Sequence, residues 1–257
     1  MDQLFLLSGI GMIIVALFPI LYWKKNTAYK YFSWGALAWI IAVALKFAWA
    51  VSLNAPIINF LENQLPVGLA GPLAWIYVGL LTGIFECGIV LGLIYVVSSL
   101  RKANWEDAVG YGIGFGAVEA LLLGLGSLIS VSLVAFFPEV LPQDVLEAIR
   151  PPESLWHIPI PIVERAAAIV IHLFSTILIV YAFITKMWKW FWLSFLYKTV
   201  VDAIAAYIHL AYGVDELTMT GWWILELVFV FLALVGLWGL MKIQRKWKEA
   251  ETSLSEE

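Results

Sequence analysis

Ten ionisable side chains interrupt the long apolar runs of this sequence: Lys46, Glu86, Glu119, Glu164, Arg165, His172, Lys198, Asp202, His209 and Glu226. Ionisable groups at bilayer depth are expensive and mark sites or pathways. At a helical rise of about 1.5 Å per residue, Glu86, Glu119, His172 and Asp202 fall near the middle of four different apolar runs and so share one depth. Lys198 lies one turn inward of Asp202. Lys46, Glu164, Arg165, His209 and Glu226 form a second layer nearer the outside. Lys198 and Asp202 are four apart and share a helix face, with His209 seven further on. Arg165 and His172 are seven apart, so each of two runs carries one polar stripe facing the bundle interior.

These residue types allow three chemistries. Carboxylates with an imidazole can hold a hard or borderline divalent metal. The same set can activate a water by general base action. Alternatively, the acids and bases pair and fix helix register. Cys87 beside Glu86 reads as a small hydrophobe rather than a nucleophile. Ser175, three residues after His172, needs no function beyond bonding its own helix.

The elements that carry these residues follow from composition. The 257 residues are 63% hydrophobic and 13% charged, with a mean hydropathy of +0.92. Soluble domains are about 45–50% apolar and about 25% charged. Such a chain cannot hide its apolar surface in one soluble core, which excludes a soluble enzyme, a disordered chain and a nucleic-acid binder. A single Cys excludes a disulfide framework and a Cys-based zinc finger.

A bilayer core takes about 20 apolar residues per helix. Seven spans are expected: Leu4–Trp23, Tyr31–Leu53, Pro72–Leu100, Trp105–Phe137, Pro161–Thr185, Trp190–Tyr212 and Gly221–Met241. The fold class is therefore an all-α, polytopic membrane bundle of seven helices over residues 1–241. A charged tail over 242–257 is expected to extend the last helix and then fray. The first span lacks a basic leader, so it is not read as a cleaved signal peptide.

Lys24, Lys25, Lys30, Arg101, Lys102, Lys186, Lys189, Lys242, Arg245, Lys246 and Lys248 fall on one side of this arrangement, against Arg150 alone on the other. That asymmetry predicts the N-terminus outside and the C-terminus inside. The loops 54–71 and 138–161 are then outer, the second with a short helix over Gln143–Ile149 stopped by Pro151 and Pro152. No internal repeat is evident, which speaks against an inverted-repeat transporter.

Glycines flank the acids. Gly110, Gly112, Gly114 and Gly116 run up to Glu119, and the pairs Gly79/Gly83 and Gly88/Gly92 lie on either side of Glu86. Small residues four apart let helices approach closely.

Three stretches carry a resemblance: Thr82-Gly83-Ile84-Phe85-Glu86, Gly112-Ile113-Gly114-Phe115-Gly116-Ala117-Val118-Glu119-Ala120, and Glu164-Arg165 with His172 and Ser175 behind them. Lys198 to Asp202 carries it more weakly. The set resembles the YhfC-type intramembrane metalloproteases, relatives of the CAAX-processing and bacteriocin-processing protease superfamily.

The resemblance implies peptide-bond hydrolysis within the bilayer, with Glu86, Glu119, His172 and Asp202 as catalytic candidates. Glu164, Arg165, Lys198 and His209 would support them. It implies a divalent metal, zinc being the expected one, on Glu119, His172 and Asp202, with Asp202 completing the shell or orienting His172. Lys198 would pair with Asp202 or stabilise an oxyanion. Two departures stand out. Cys87 occupies the second place of a paired-acid motif, and Lys198 stands where the last motif often has His.

Three functions follow as expectations. The first is a metallo- or glutamate-type intramembrane endopeptidase of the plasma membrane, acting on a membrane-embedded or lipid-proximal peptide. The second is a non-catalytic member of the same fold that binds a peptide, a lipid or a partner membrane protein. The third is a proton- or cation-coupled transporter.

Overall fold

The computed structural model describes residues 3–143, 154–211 and 217–255. The described residues are helical throughout, with short connections and no strand. After a 3-10 turn at Gln3–Phe5 the helices are α1 (Leu6–Trp23), α2 (Tyr29–Gln64), α3 (Val67–Thr82), α4 (Gly88–Val96), α5 (Ser98–Arg101), α6 (Trp105–Phe136), α7 (Pro159–Thr185), α8 (Lys189–Ala211) and α9 (Met219–Ser255). A π-helical turn, Gly83–Cys87, joins α3 to α4. Together they make one span, Gly68–Val96. Seven helices are long and apolar enough to cross a membrane. The expected all-α, seven-span bundle is what forms.

Several features differ from expectation, among them the third span, which ends at Val96 before an extended Val97 and not at Leu100. The second span does not end at Leu53, and residues 54–71 are not a loop. Helix α2 runs through Pro56 to Gln64. A proline inside a helix removes one backbone bond and crowds the carbonyl four residues before it, yet the residues after Pro56 stay helical to Gln64. The Tyr77 hydroxyl ties this extension to α3: it donates to Asn54 Oδ1 at 3.0 Å and accepts from Trp49 Nε1 at 2.9 Å. The helix stops at Leu65, whose extended backbone (φ −122°, ψ 151°) is what the following Pro66 favours.

The π turn is a further difference. A helical period of 3.6 gives no hint of the extra residue it accommodates, and such turns recur at functional sites. The last helix continues through the basic tail to Ser255. The short helix expected over Gln143–Ile149 lies, apart from Gln143, outside the described residues.

Helix α7 is the axis of the bundle. Seventy-eight per cent of its apolar window is buried, against 11% for α2. It packs against α1, α6, α8 and α9, while α6 also packs on α1 and α2, and α3 on α8. The core follows these contacts, with Tyr111, Phe115, Ile177, Leu178 and Ile179 almost fully enclosed.

Glycine sets the closest approaches. A Cβ on Gly114 would stand 2.1 Å from the Phe32 carbonyl oxygen, and one on Gly35 would stand 2.0 Å from the Tyr111 carbonyl oxygen. Helices α2 and α6 therefore meet backbone to backbone. Gly79 does the same for α3 and α8, where a Cβ would lie 2.3 Å from the Thr199 carbonyl oxygen.

Candidate functional site

Lys46, Glu86, Glu119, Glu164, Arg165, His172, Lys198 and Asp202 converge where α2, the π turn, α6, α7 and α8 meet. Each is placed by its helix face. On α7 the seven-residue spacing turns Arg165 and His172 to one side, and both are buried. On α8 the four-residue spacing does the same for Lys198 and Asp202. Helix α6 contributes Glu119 just after its glycines, which let α7 close in: a Cβ on Gly116 would come 3.2 Å from His172 Cβ. The π turn presents Glu86, which is 5% exposed.

Glu119 is the hub of one half. Its Oε2 accepts from His172 Nε2 at 2.7 Å and from Trp39 Nε1 at 3.0 Å. Its Oε1 accepts from Arg165, which also grips Glu164. The His172 ring packs on Phe115 with centroids 4.9 Å apart.

Glu86 is the hub of the other half. Lys46 reaches its Oε1 at 3.0 Å and Lys198 its Oε2 at 2.9 Å. Lys46 also meets Thr82 Oγ1 at 3.2 Å and Asp202 Oδ2 at 3.6 Å. Thr82 donates to Asp202. Lys198 Nζ lies 3.3 Å from His172 Nδ1 and so links the halves.

An ammonium donates and never accepts. His172 Nδ1 is therefore the acceptor of that contact. With Nδ1 accepting, Nε2 is the nitrogen left to donate to Glu119.

The four residues at one depth, Glu86, Glu119, His172 and Asp202, are thus brought into one network, with Glu164, Arg165 and Lys198 in it. Three expectations change in detail. Lys198 pairs with Glu86, not with Asp202. The orienting partner of His172 Nδ1 is Lys198 and not Asp202, because Asp202 is held by Thr82 and Lys46. His209 is exposed near the end of α8 and stands outside the network; a further two turns on the shared face carry it beyond the cluster. Cys87 is buried against Ser194 Oγ at 3.6 Å and Ser175 Oγ at 3.9 Å.

Three members were not on the expected list of site residues. Lys46 carried a signal, being a cation in an apolar span. Trp39 lies seven residues before it on the same face of α2, but a Trp in a membrane helix reads as apolar. Thr82 opens one of the stretches that carry the resemblance, but nothing in its residue type singled it out within that stretch.

A cavity of about 160 Å³ opens on this network. Glu119, Glu164, Arg165, His172, Lys198 and Asp202 line its polar side, and Val201, Ala205 and Phe229 its apolar side. The side chains of Glu119 and Asp202 are 19% and 29% exposed, so their carboxylates front the space.

The expected metal donors fit a divalent ion poorly. Among the described residues no three His, Cys, Asp or Glu side chains are gathered as a ligand set. Glu119 and His172 spend their facing atoms on each other. Arg165, Lys46 and Lys198 neutralise the carboxylates that a metal would need.

The chain matches the family described as YhfC intramembrane metalloprotease over residues 11–228. It is 28% identical over 196 residues to a membrane protein of Bacillus subtilis (strain 168), YhfC, described as uncharacterized; the match covers 68% of this chain and 72% of that one. No solved structure matches it. With seven apolar spans and a match over most of its length, this integral membrane protein belongs to the YhfC intramembrane metalloprotease family.

Proposed function

We propose that the chain is an intramembrane endopeptidase of the glutamate type, cleaving a membrane-embedded or lipid-proximal peptide. The observation that carries this reading is the Glu119–His172 hydrogen bond, 2.7 Å long, at the wall of an open cavity lined by both charged and apolar side chains. Glu119 is the general base, through Oε1, which accepts from Arg165 alone and so keeps a lone pair for the proton. It takes a proton from a water in the cavity as the water oxygen bonds to the peptide carbonyl carbon. The negative charge that develops on the carbonyl oxygen faces Arg165 and Lys198, whose fixed positive charges favour it. Glu119 then returns the proton to the amide nitrogen as the C–N bond breaks.

His172 and Trp39 orient the Glu119 carboxylate by donating to one of its oxygens. Glu86 and Asp202 hold Lys198 and Lys46 in place. The family description supports hydrolysis and a metal, but no step here passes through one, because the donors are engaged as described. The N-terminus is read as outside, on the charge asymmetry of the loops, and the membrane is taken to be the plasma membrane.

A second reading, a non-catalytic binder of a peptide, lipid or membrane protein, is favoured by one observation. The carboxylates of the centre are matched by cations of the chain itself, as in a structural network.

Cleavage of fluorogenic transmembrane peptides by the purified protein in bicelles, compared with Glu119→Gln and His172→Ala, separates the two. Loss of cleavage in both folded variants supports the protease. Peptide binding without cleavage by the unaltered protein supports the binder.

A further inference from the structure

We propose that the Lys198 ammonium takes the place a divalent cation would hold in this centre, so that the chain closes its own site to metal with a tethered charge. The inference does not rest on proteolysis, since metal content is measurable whether or not a peptide is cut.

Three observations carry it. The Lys198 side chain is only 4% exposed, and Nζ sits 2.9 Å from Glu86 Oε2 and 3.3 Å from His172 Nδ1. A zinc ion lies about 2.0–2.2 Å from such nitrogen and oxygen donors. An ion on this pair would therefore overlap the ammonium, and their repulsion in a buried site is weakly screened.

The second observation is that both ring nitrogens of His172 are in use: Nε2 faces Glu119 at 2.7 Å and Nδ1 faces Lys198 at 3.3 Å. An ammonium is matched there by a lone pair on Nδ1, the lone pair that a metal would need.

The third is that the remaining donors are also taken. Glu119 is held by Trp39, Arg165 and His172, and Asp202 by Thr82 and Lys46.

Position 198 is therefore the determinant. It lies four residues before Asp202, one helical turn away. Lys198→His would put an imidazole and a carboxylate on one helix face, next to Glu86 and a His172 whose Nδ1 has been released. Two imidazoles and two carboxylates make a donor set that suits zinc once Lys46, whose side chain is 26% exposed, turns away from Glu86 and Asp202.

The test uses the full chain in detergent, stripped with chelator, incubated with zinc sulfate, desalted and analysed for bound metal. The unaltered protein is expected to retain no stoichiometric zinc, and Lys198→His to retain about one ion per chain with a higher melting temperature in zinc. Retention of about one zinc per unaltered chain, lost in His172→Ala, would overturn the proposal. So would a folded Lys198→His protein that stays zinc-free.

A second measurement does not depend on that variant folding. In a His157→Gln, His209→Gln background, His172 is the one remaining histidine and its ring nitrogens can be followed by 15N NMR. The expected spectrum is a neutral ring protonated at Nε2 and unaffected by zinc. A zinc-induced shift of either nitrogen refutes the assignment.

Discussion

The pairing of Glu86 with two lysines sets up a double-mutant cycle whose outcome can be worked from the geometry. Glu86 is 5% exposed, the Lys198 side chain 4%, and Lys46 reaches partway to the surface at 26%. Glu86→Gln removes the carboxylate and leaves two ammonium groups. Lys46 keeps Asp202 at 3.6 Å, but Lys198 loses its one close ion pair and keeps the His172 nitrogen, with Asp202 and Glu119 acting on it from further away. Removing one partner of a buried pair costs about 3–5 kcal/mol because an uncompensated charge remains. For a chain of this size, 3 kcal/mol corresponds to a melting shift of about 6–12 °C.

Lys198→Met is milder, since Glu86 retains Lys46. In that background Glu86→Gln no longer strands the buried ammonium, and its cost falls to about 1 kcal/mol, the net worth of an ordinary hydrogen bond. The coupling between the two positions is then at least about 2 kcal/mol, well above the limit for independent sites. Thermal or denaturant unfolding of the four proteins in mixed micelles measures it. Additive effects within about 0.5 kcal/mol would refute the claim that these two charges hold each other.

Other expectations are simpler to check. Trp39→Phe removes one donor to Glu119 and should lower stability by about 1 kcal/mol and slow peptide cleavage through kcat rather than KM. Gly114→Val places side-chain atoms on the Phe32 carbonyl and should abolish a folded, monodisperse protein in size-exclusion chromatography, whereas Gly126→Val, which meets open space at its Cβ, should not. Cys87, 1% exposed, should resist maleimide in the native protein and label fully once unfolded. In a Cys87→Ala chain, Lys25→Cys should be labelled from the cytoplasmic side and Glu62→Cys from the outside; the reverse pattern would invert the proposed orientation.

The seven spans were readable because a run of about 20 apolar residues has few alternatives to crossing a bilayer. The common depth of Glu86, Glu119, His172 and Asp202 was readable for the same reason: rise per residue fixes depth once the ends of a span are known. What could not be read was reach. Lys46 and Arg165 were assigned to an outer layer by the height of their Cα atoms, yet their long side chains extend to Glu86 and Glu119. Pairing was equally hidden, since Lys198 has Asp202 one turn away on its own helix but bonds Glu86 from the π turn. That turn rotates the Glu86 side chain by an amount that no 3.6-residue wheel contains. Helix α2 beyond Leu53 was missed because Pro56 reads as a stop, and the Tyr77 contacts that support the extension come from another helix.

The meeting of α2 with α6 at Gly35 and Gly114 has a consequence for how this protein responds to sequence change. Where side chains interdigitate, a new methyl group can be absorbed by a rotamer change nearby. Where main chain touches main chain there is nothing to rotate, and the two cylinders must separate as rigid bodies. Trp39 is one turn along from Gly35, and Glu119 is five residues on from Gly114, so widening this joint draws the indole away from the carboxylate it orients. A substitution far from any charged group is thereby converted into a loosened proton acceptor.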